Sequence, residues 1–226
     1  MMSPDPVVKQ YNKLAERYDS RWSFYLQASL GETQKRLDVQ TGESLLDVGC
    51  GSGLLLESLS QTSPGADLYG VEPSLAMLAA ARRKLGDKAI LKQGQAEKLP
   101  FPDQSFDIVV STSALHLFQY PLAALVEMKR VLRPGGRVVI TDWCGDYLTC
   151  RLYDRWLRLV DSAHHKTLGR GAIHRLLHEA GFTGIRVDRY RINWFWGLMT
   201  ATAVLSREEQ NEAGPDYTRK RGIRAM

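Results

Sequence analysis

Leu45-Leu46-Asp47-Val48-Gly49-Cys50-Gly51-Ser52-Gly53 reads as a short buried strand running into a bare main-chain bend, with the apolar helix Leu54–Leu59 directly behind it. A chain that turns this sharply from strand to helix needs residues without a Cβ that accept positive φ, which glycine supplies. The missing side chains let a ligand approach the backbone, and the unpaired N–H groups of the following helix favour an anionic group there. Nineteen residues past Gly53, Glu72 stands at the end of the next strand, Asp67–Val71, where a carboxylate can accept hydrogen bonds from both hydroxyls of a ribose. A Gly-x-Gly-x-Gly bend alone also fits dinucleotide enzymes. The order strand, turn, helix, strand, acid makes it informative.

Outward from this point, strand-like and helix-like segments alternate, which is the signature of a parallel sheet covered by helices. Ser74 can N-cap an alanine-rich helix that ends in Arg82, Arg83 and Lys84, near its negative pole. Ala89–Lys92, Phe106–Ser111 and Arg137–Thr141 supply a third, fourth and fifth strand, the last after the turn Arg133-Pro134-Gly135-Gly136. Before the first strand, Val7, Tyr11, Leu14, Ala15 and Tyr18 recur at helical spacing. After the fifth, Leu148, Leu152, Trp156, Leu159 and Val160 share one helical face, and a helix over roughly Gly171–Ala180 stops at Gly181. Two β-rich runs, Gly184–Ile192 and Trp194–Leu205, close the chain as an antiparallel hairpin.

The chain has 226 residues, 44% of them hydrophobic, enough for one sizeable core without staples. That excludes a disordered protein and a disulfide-scaffolded miniprotein. We expect one α/β domain over residues 1–206, with an N-terminal helical lid over 1–40 and a helical insertion over 143–168. Residues 207–226 read as a charged, mobile tail. Cys50, Cys144 and Cys150 match neither a zinc knuckle nor a disulfide framework. No signal-like core and no run of about 18 apolar residues occurs, so a cytoplasmic protein is expected. The net charge of +5 permits an anionic partner without demanding nucleic acid.

Five pieces now stand in one order: Leu45–Gly53, Val71-Glu72-Pro73-Ser74, residues 94–101 from Gly94 to Phe101, Ser105–Val110, and residues 130–136 with their proline–glycine–glycine turn. Over about residues 7–143 the chain resembles class I S-adenosylmethionine-dependent methyltransferases, of the broad type 11 group that includes quinone C-methyltransferases. The resemblance implies a Rossmann-like α/β fold, with a seven-stranded, mostly parallel sheet, helices on both faces and a C-terminal antiparallel hairpin. It implies S-adenosylmethionine as cofactor, S-adenosylhomocysteine as product, and these roles. Asp47 holds the turn and the methionine ammonium. Gly49, Gly51 and Gly53 give that moiety main-chain room, and Glu72 binds the ribose. Pro73 and Ser74 edge the adenine, Gln95 and Ala96 face it from the other side, and Ser111 lines the methionine end. Family members carry an aspartate where Gln95 stands; the glutamine carbonyl accepts the same bond without charge.

A methyl on a sulfonium is already activated, so the acceptor half of such a site is free to vary. Tyr11, Tyr18 and Trp22 can close over the cofactor as a lid, or simply pack an amphipathic helix. His116, after the fourth strand, is the best-placed general base near neutral pH, against a structural role as the alternative. His174 and His178 share a helix face and His164-His165 are adjacent, yet no acid or thiol partner stands at ligand spacing, so no metal is expected. Cys144 and Cys150 leave an arsenite methyltransferase open. From Arg151 to Arg191 nine basic residues face four acidic ones, which suits an anionic acceptor or peripheral contact with an anionic membrane. An RNA or other nucleic-acid methyltransferase is the further alternative; the fourth strand ends Val110-Ser111-Thr112-Ser113-Ala114, without the element that grips a flipped base. A small-molecule acceptor and no nucleic acid are therefore expected.

Overall fold

The computed structural model describes residues 6–160 and 166–207. Apart from Arg207, the expected tail lies outside them, as do His164 and His165. Seven strands form one sheet: β1 (Ser44–Val48), β2 (Asp67–Glu72), β3 (Ile90–Gln93), β4 (Phe106–Thr112), β5 (Leu132–Trp143), β6 (Thr183–Arg191) and β7 (Gly197–Val204). Their order is β3-β2-β1-β4-β5-β7-β6. The first five run parallel; β7 is antiparallel to both β5 and β6. The expected hairpin is thus present, with its second strand inserted next to β5.

Eight helices accompany the sheet among the described residues: α1 (Pro6–Leu14), α2 (Tyr18–Arg21), α3 (Ser23–Leu37), α4 (Leu54–Thr62), α5 (Leu75–Leu85), α6 (Pro121–Val131), α7 (Leu148–Val160) and α8 (Arg170–Glu179). Strand side chains alternate between two apolar layers, as the period of two requires. Leu46, Val48, Val109, Val138 and Ile140 pack with residues of α6 and α8. Leu45, Ile108, Val110 and Val139 pack with residues of α3, α4 and α5. Buried on both faces, β1 carries two polar side chains, Ser44 at its start and Asp47 near its end.

Three local expectations change. The N-terminal helix is broken at 15–17 and again at Trp22, and α1 and α2 bury no residue. The turn Arg133-Pro134-Gly135-Gly136 lies inside β5 as a bulge: between Phe106↔Leu132 and Ile108↔Arg137, β5 uses more residues than β4. Residues 194–196 are not strand, because Asn193 Oδ1 accepts from the N–H groups of Phe195 (2.9 Å) and Trp196 (2.6 Å) and folds them into a turn.

The strand order reverses between β1 and β4. In open α/β sheets ligands bind in the crevice beyond the carboxyl ends of the strands at such a switch point. The glycine bend emerges there.

Candidate active site

Val71 O fixes the bend by accepting from Gly49 N (2.9 Å) and Cys50 N (3.1 Å), which welds the end of β1 to β2. Gly51 has φ +53° and open space where a Cβ would stand. Gly53 has φ +81°, and a Cβ there would lie 2.9 Å from Leu85, so its bareness lets α4 pack on α5. Beside the bend, Glu72 Oε2 accepts from Gly51 N (3.1 Å) and Oε1 from Ser74 N (2.9 Å). Burial pushes the Glu72 carboxyl up to about 7 in spite of these two amides. Asp47 is 2% exposed, and its Oδ1 has no hydrogen-bond partner. Burial, and then the neighbouring Glu72 charge, push Asp47 up to about 8. Among the described residues neither acid forms an ion pair. A buried carboxylate oxygen without a donor is costly, and a cationic ligand group would remove the cost.

These groups line a cavity of about 290 Å³. Of the residues singled out by sequence, Asp47, Gly49, Gly51, Glu72, Pro73, Gln95, Ala96, Tyr11 and Tyr18 line it. Gly53, Ser74 and Ser111 do not. Ser74 instead caps α5, its Oγ accepting from Met77 N at 3.2 Å. Ser111, expected at the methionine end, is 1% exposed and donates to Val48 O at 2.8 Å, tying β4 to β1. These residues build the frame behind the wall.

His116 lies in a second cavity of about 800 Å³, which shares Tyr11, Tyr18, Ser113 and Leu117 with the first. The buried Asp142 carboxylate organises it: Oδ2 accepts from His116 N (2.9 Å), and Oδ1 contacts His116 Nδ1 (2.8 Å) and accepts from Trp143 N (2.7 Å). That pairing places the Nδ1 proton toward Asp142. The imidazole stacks on Trp143 with centroids 4.6 Å apart and planes 13° apart. Trp22, expected with the lid over the first cavity, lines the second one.

Three positioning residues carry no sequence signal. Asn12 Oδ1 accepts from Ser74 Oγ (2.7 Å) and Ala76 N (3.2 Å), pinning α1 to the start of α5. Asp19 accepts from Ser52 Oγ (2.5 Å) and Lys84 Nζ (2.7 Å), strapping α2 to the glycine bend. Ser113, with φ +56°, bonds Tyr25 Oη at 2.8 Å and lines both cavities. Periodicity sees none of these, because each partner is remote in sequence.

Cys144 and Cys150 are fully buried and line neither cavity. Burial raises both thiols, Cys144 to about 11, so they are poor thiolate ligands. Among the described residues no group of three His, Cys, Asp or Glu side chains could hold a metal, and no helix is long and apolar enough to cross a membrane. Along α7, Leu148, Leu152, Trp156, Leu159 and Val160 are between 53% and 85% exposed. Cys150, Asp154 and Leu157 form its buried face, and Arg151, Arg155 and Arg158 flank the exposed apolar stripe.

Residues 46–140 match the family model described as a methyltransferase domain. An uncharacterized methyltransferase of Schizosaccharomyces pombe is 38% identical over 127 residues, 52% of this chain and 45% of its own length. A demethylmenaquinone methyltransferase of a Geobacillus species is 29% identical over 185 residues, 70% of this chain and 79% of its own. Among solved structures, a complex of the Trm112 methyltransferase activator with a putative methyltransferase of Haloferax volcanii matches with a TM-score of 0.77 at 20% identity, over 87% of this chain and 97% of that one. The chain spans less than half the length of several curated relatives it matches, between 33% and 47%.

Proposed function

We propose that the chain is a class I S-adenosylmethionine-dependent methyltransferase that methylates a small, partly apolar acceptor by direct in-line transfer. The observation that carries this reading is the donorless Asp47 oxygen beside Glu72, at the switch point of the sheet and under a bare main-chain bend. Those residues fit S-adenosylmethionine, which supplies a methyl group already activated on a sulfonium.

The chain's own work is then to bind, orient and exclude water. Asp47 gives its unused oxygen to an ammonium. Glu72 keeps a second lone pair on each oxygen after accepting from Gly51 N and Ser74 N, and offers these to the ribose hydroxyls. Gly49 and Gly51 admit the amino-acid end, while Pro73, Gln95 and Ala96 border the adenine. Tyr11 and Tyr18 close the cavity from the N-terminal side. For an acceptor that attacks through a hydroxyl, His116 Nε2 takes the proton that the hydroxyl loses, and Asp142 stabilises the resulting imidazolium.

Isothermal titration with S-adenosylhomocysteine tests the cofactor half: we expect binding that weakens by about 10-fold or more in Glu72→Ala, as loss of charge-assisted bonds implies. No binding at millimolar ligand would refute the reading. His116→Asn should leave that affinity unchanged while methyl transfer to a hydroxyl acceptor falls by about 100-fold or more. An unaltered rate would reduce His116 to a structural role.

A peripheral contact with an anionic membrane belongs to the same reading, because α7 presents an exposed apolar stripe flanked by arginines, as interfacial helices do.

A further inference from the structure

The two cavities that meet at Tyr11, Tyr18, Ser113 and Leu117 have opposite chemistry. The first is lined by three acids, Asp47, Glu72 and Glu97. Among the described residues no acid lines the second; its charged lining residues there are Lys9, Lys13 and Arg21. Lys9 and Lys13 stand four residues apart on α1, on the helical face that also turns Pro6, Gln10 and Leu14 toward this cavity. Neither lysine forms an ion pair among the described residues, whereas the Arg21 guanidinium lies 5.8 Å over the Trp22 ring.

Behind that cationic rim the walls are flat and aromatic. Tyr153 stacks on Trp156 with planes 23° apart, and Trp143 carries the parallel His116 ring on one side and the tilted Trp196 ring, 4.9 Å away, on another. Tyr25 closes on Trp143 edge-on at 6.3 Å and on Trp196 at 5.2 Å. Parallel π faces favour a planar ring over a flexible aliphatic chain of equal area, since a rigid ring loses little freedom on insertion. Two ammonium groups at the mouth favour a ligand with a negative charge and disfavour a cationic amine.

Resting on the methyltransferase reading, we propose that the second cavity takes a planar aromatic acceptor bearing an anionic substituent, with its ring among the indoles and its charge at Lys9 and Lys13. The two cavities thereby sort their ligands by sign. In the first cavity Asp47 takes the ammonium of the cofactor, and in the second the lysines take the anionic substituent of the acceptor.

The test is a tryptophan-fluorescence titration of the full chain, saturated with S-adenosylhomocysteine, comparing 6-hydroxy-2-naphthoate with 2-naphthol. At low ionic strength the carboxylate should bind about 10-fold tighter, and the advantage should fade toward about 0.5 M salt because the rim is solvated. The double variant Lys9→Ala/Lys13→Ala should lose the preference while keeping its affinity for 2-naphthol and for S-adenosylhomocysteine. Equal binding of the two probes, no binding of either, or a preference that survives the double variant overturns the proposal. If S-adenosylhomocysteine binds and the preference is absent, only this inference falls; if S-adenosylhomocysteine itself does not bind, the reading beneath it falls too.

Discussion

At Asp47 a carboxyl group is held where water cannot reach it, with one oxygen lacking a donor and its proton affinity raised to about 8. Glu72 beside it is raised to about 7. Unfolded carboxyls titrate near 4, so between that value and about 8 the folded chain binds more protons than the unfolded one. Stability of the ligand-free protein therefore falls as pH rises through this window, and a cationic ligand group, which needs the ionised acid, binds better as pH rises. The affinity for S-adenosylhomocysteine should climb between about pH 6 and pH 8, with proton release on binding that shows as a buffer-dependent enthalpy in calorimetry. Asp47→Asn should bind more weakly and flatten that climb; a wild-type affinity independent of pH would contradict the arrangement. Asp47 and Glu72 stand out as candidate site residues in the sequence because a fixed order of strand, glycine bend and acid exposes them. Asn12, Asp19 and Ser113 were not, since their roles exist only through partners 62, 33 and 88 residues away. At Ser111 the position at the end of β4 is legible in the sequence, whereas the direction of its hydroxyl, into Val48 O, depends on a partner 63 residues away.

Among the elements, β1, β2, β4 and α5 follow from local sequence because propensity, burial and capping agree in them. In the segment 121–131 the helix signals lie only at the ends, Pro121 starting α6 and Lys129 and Arg130 closing it. The N-terminal segment was read as helical, but its breaks depend on what it docks against. With no fully buried residue of their own, α1 and α2 are held by the straps at Asn12 and Asp19 together with the packing of Tyr18 on the core. Each such hydrogen bond contributes on the order of 1 kcal/mol, about a five-fold effect on an equilibrium. Asn12→Ala and Asp19→Ala should each speed release of S-adenosylhomocysteine several-fold in stopped-flow chase experiments, with circular dichroism unchanged. Release at the wild-type rate in the double variant would show that the segment is not a lid. For α7 the relevant property is the juxtaposition of Leu152 and Leu159 with Arg151, Arg155 and Arg158. The chain should co-sediment with vesicles containing phosphatidylglycerol more than with purely zwitterionic ones. Leu152→Glu/Leu159→Glu should abolish this without changing turnover of a water-soluble acceptor, and equal sedimentation by the double variant would remove the membrane from the reading.

The whole molecule combines a sheet buried on both faces with an N-terminal segment held by a few polar contacts and half-buried aromatic packing, so its parts differ in local stability. The central strands β1 and β4, with Leu45, Leu46, Val109 and Val110 fully buried, should open only with global unfolding. By contrast, residues 6–21 line both cavities without a fully buried side chain, and Tyr18 packs half-buried against the cluster around Tyr25 and Trp143. A ligand in the first cavity touches Tyr11 and Tyr18 from below, and thus ties this segment to the sheet more firmly than the two straps alone. Binding should therefore redistribute protection unevenly. In hydrogen–deuterium exchange, saturating S-adenosylhomocysteine should slow peptides from residues 6–21 and from the bend at 49–53 by the largest factors. The helix α8, far along the chain and outside both cavities, should change only by the shared gain in global stability. At ligand concentrations about 100-fold above the dissociation constant that global gain is about 2.7 kcal/mol, or roughly 5 to 10 °C in melting temperature for a chain of this size. Protection confined to 49–53, with residues 6–21 unaffected, would mean that the cofactor enters and leaves without the N-terminal helices, and acceptor binding would then have to close the site from the second cavity instead.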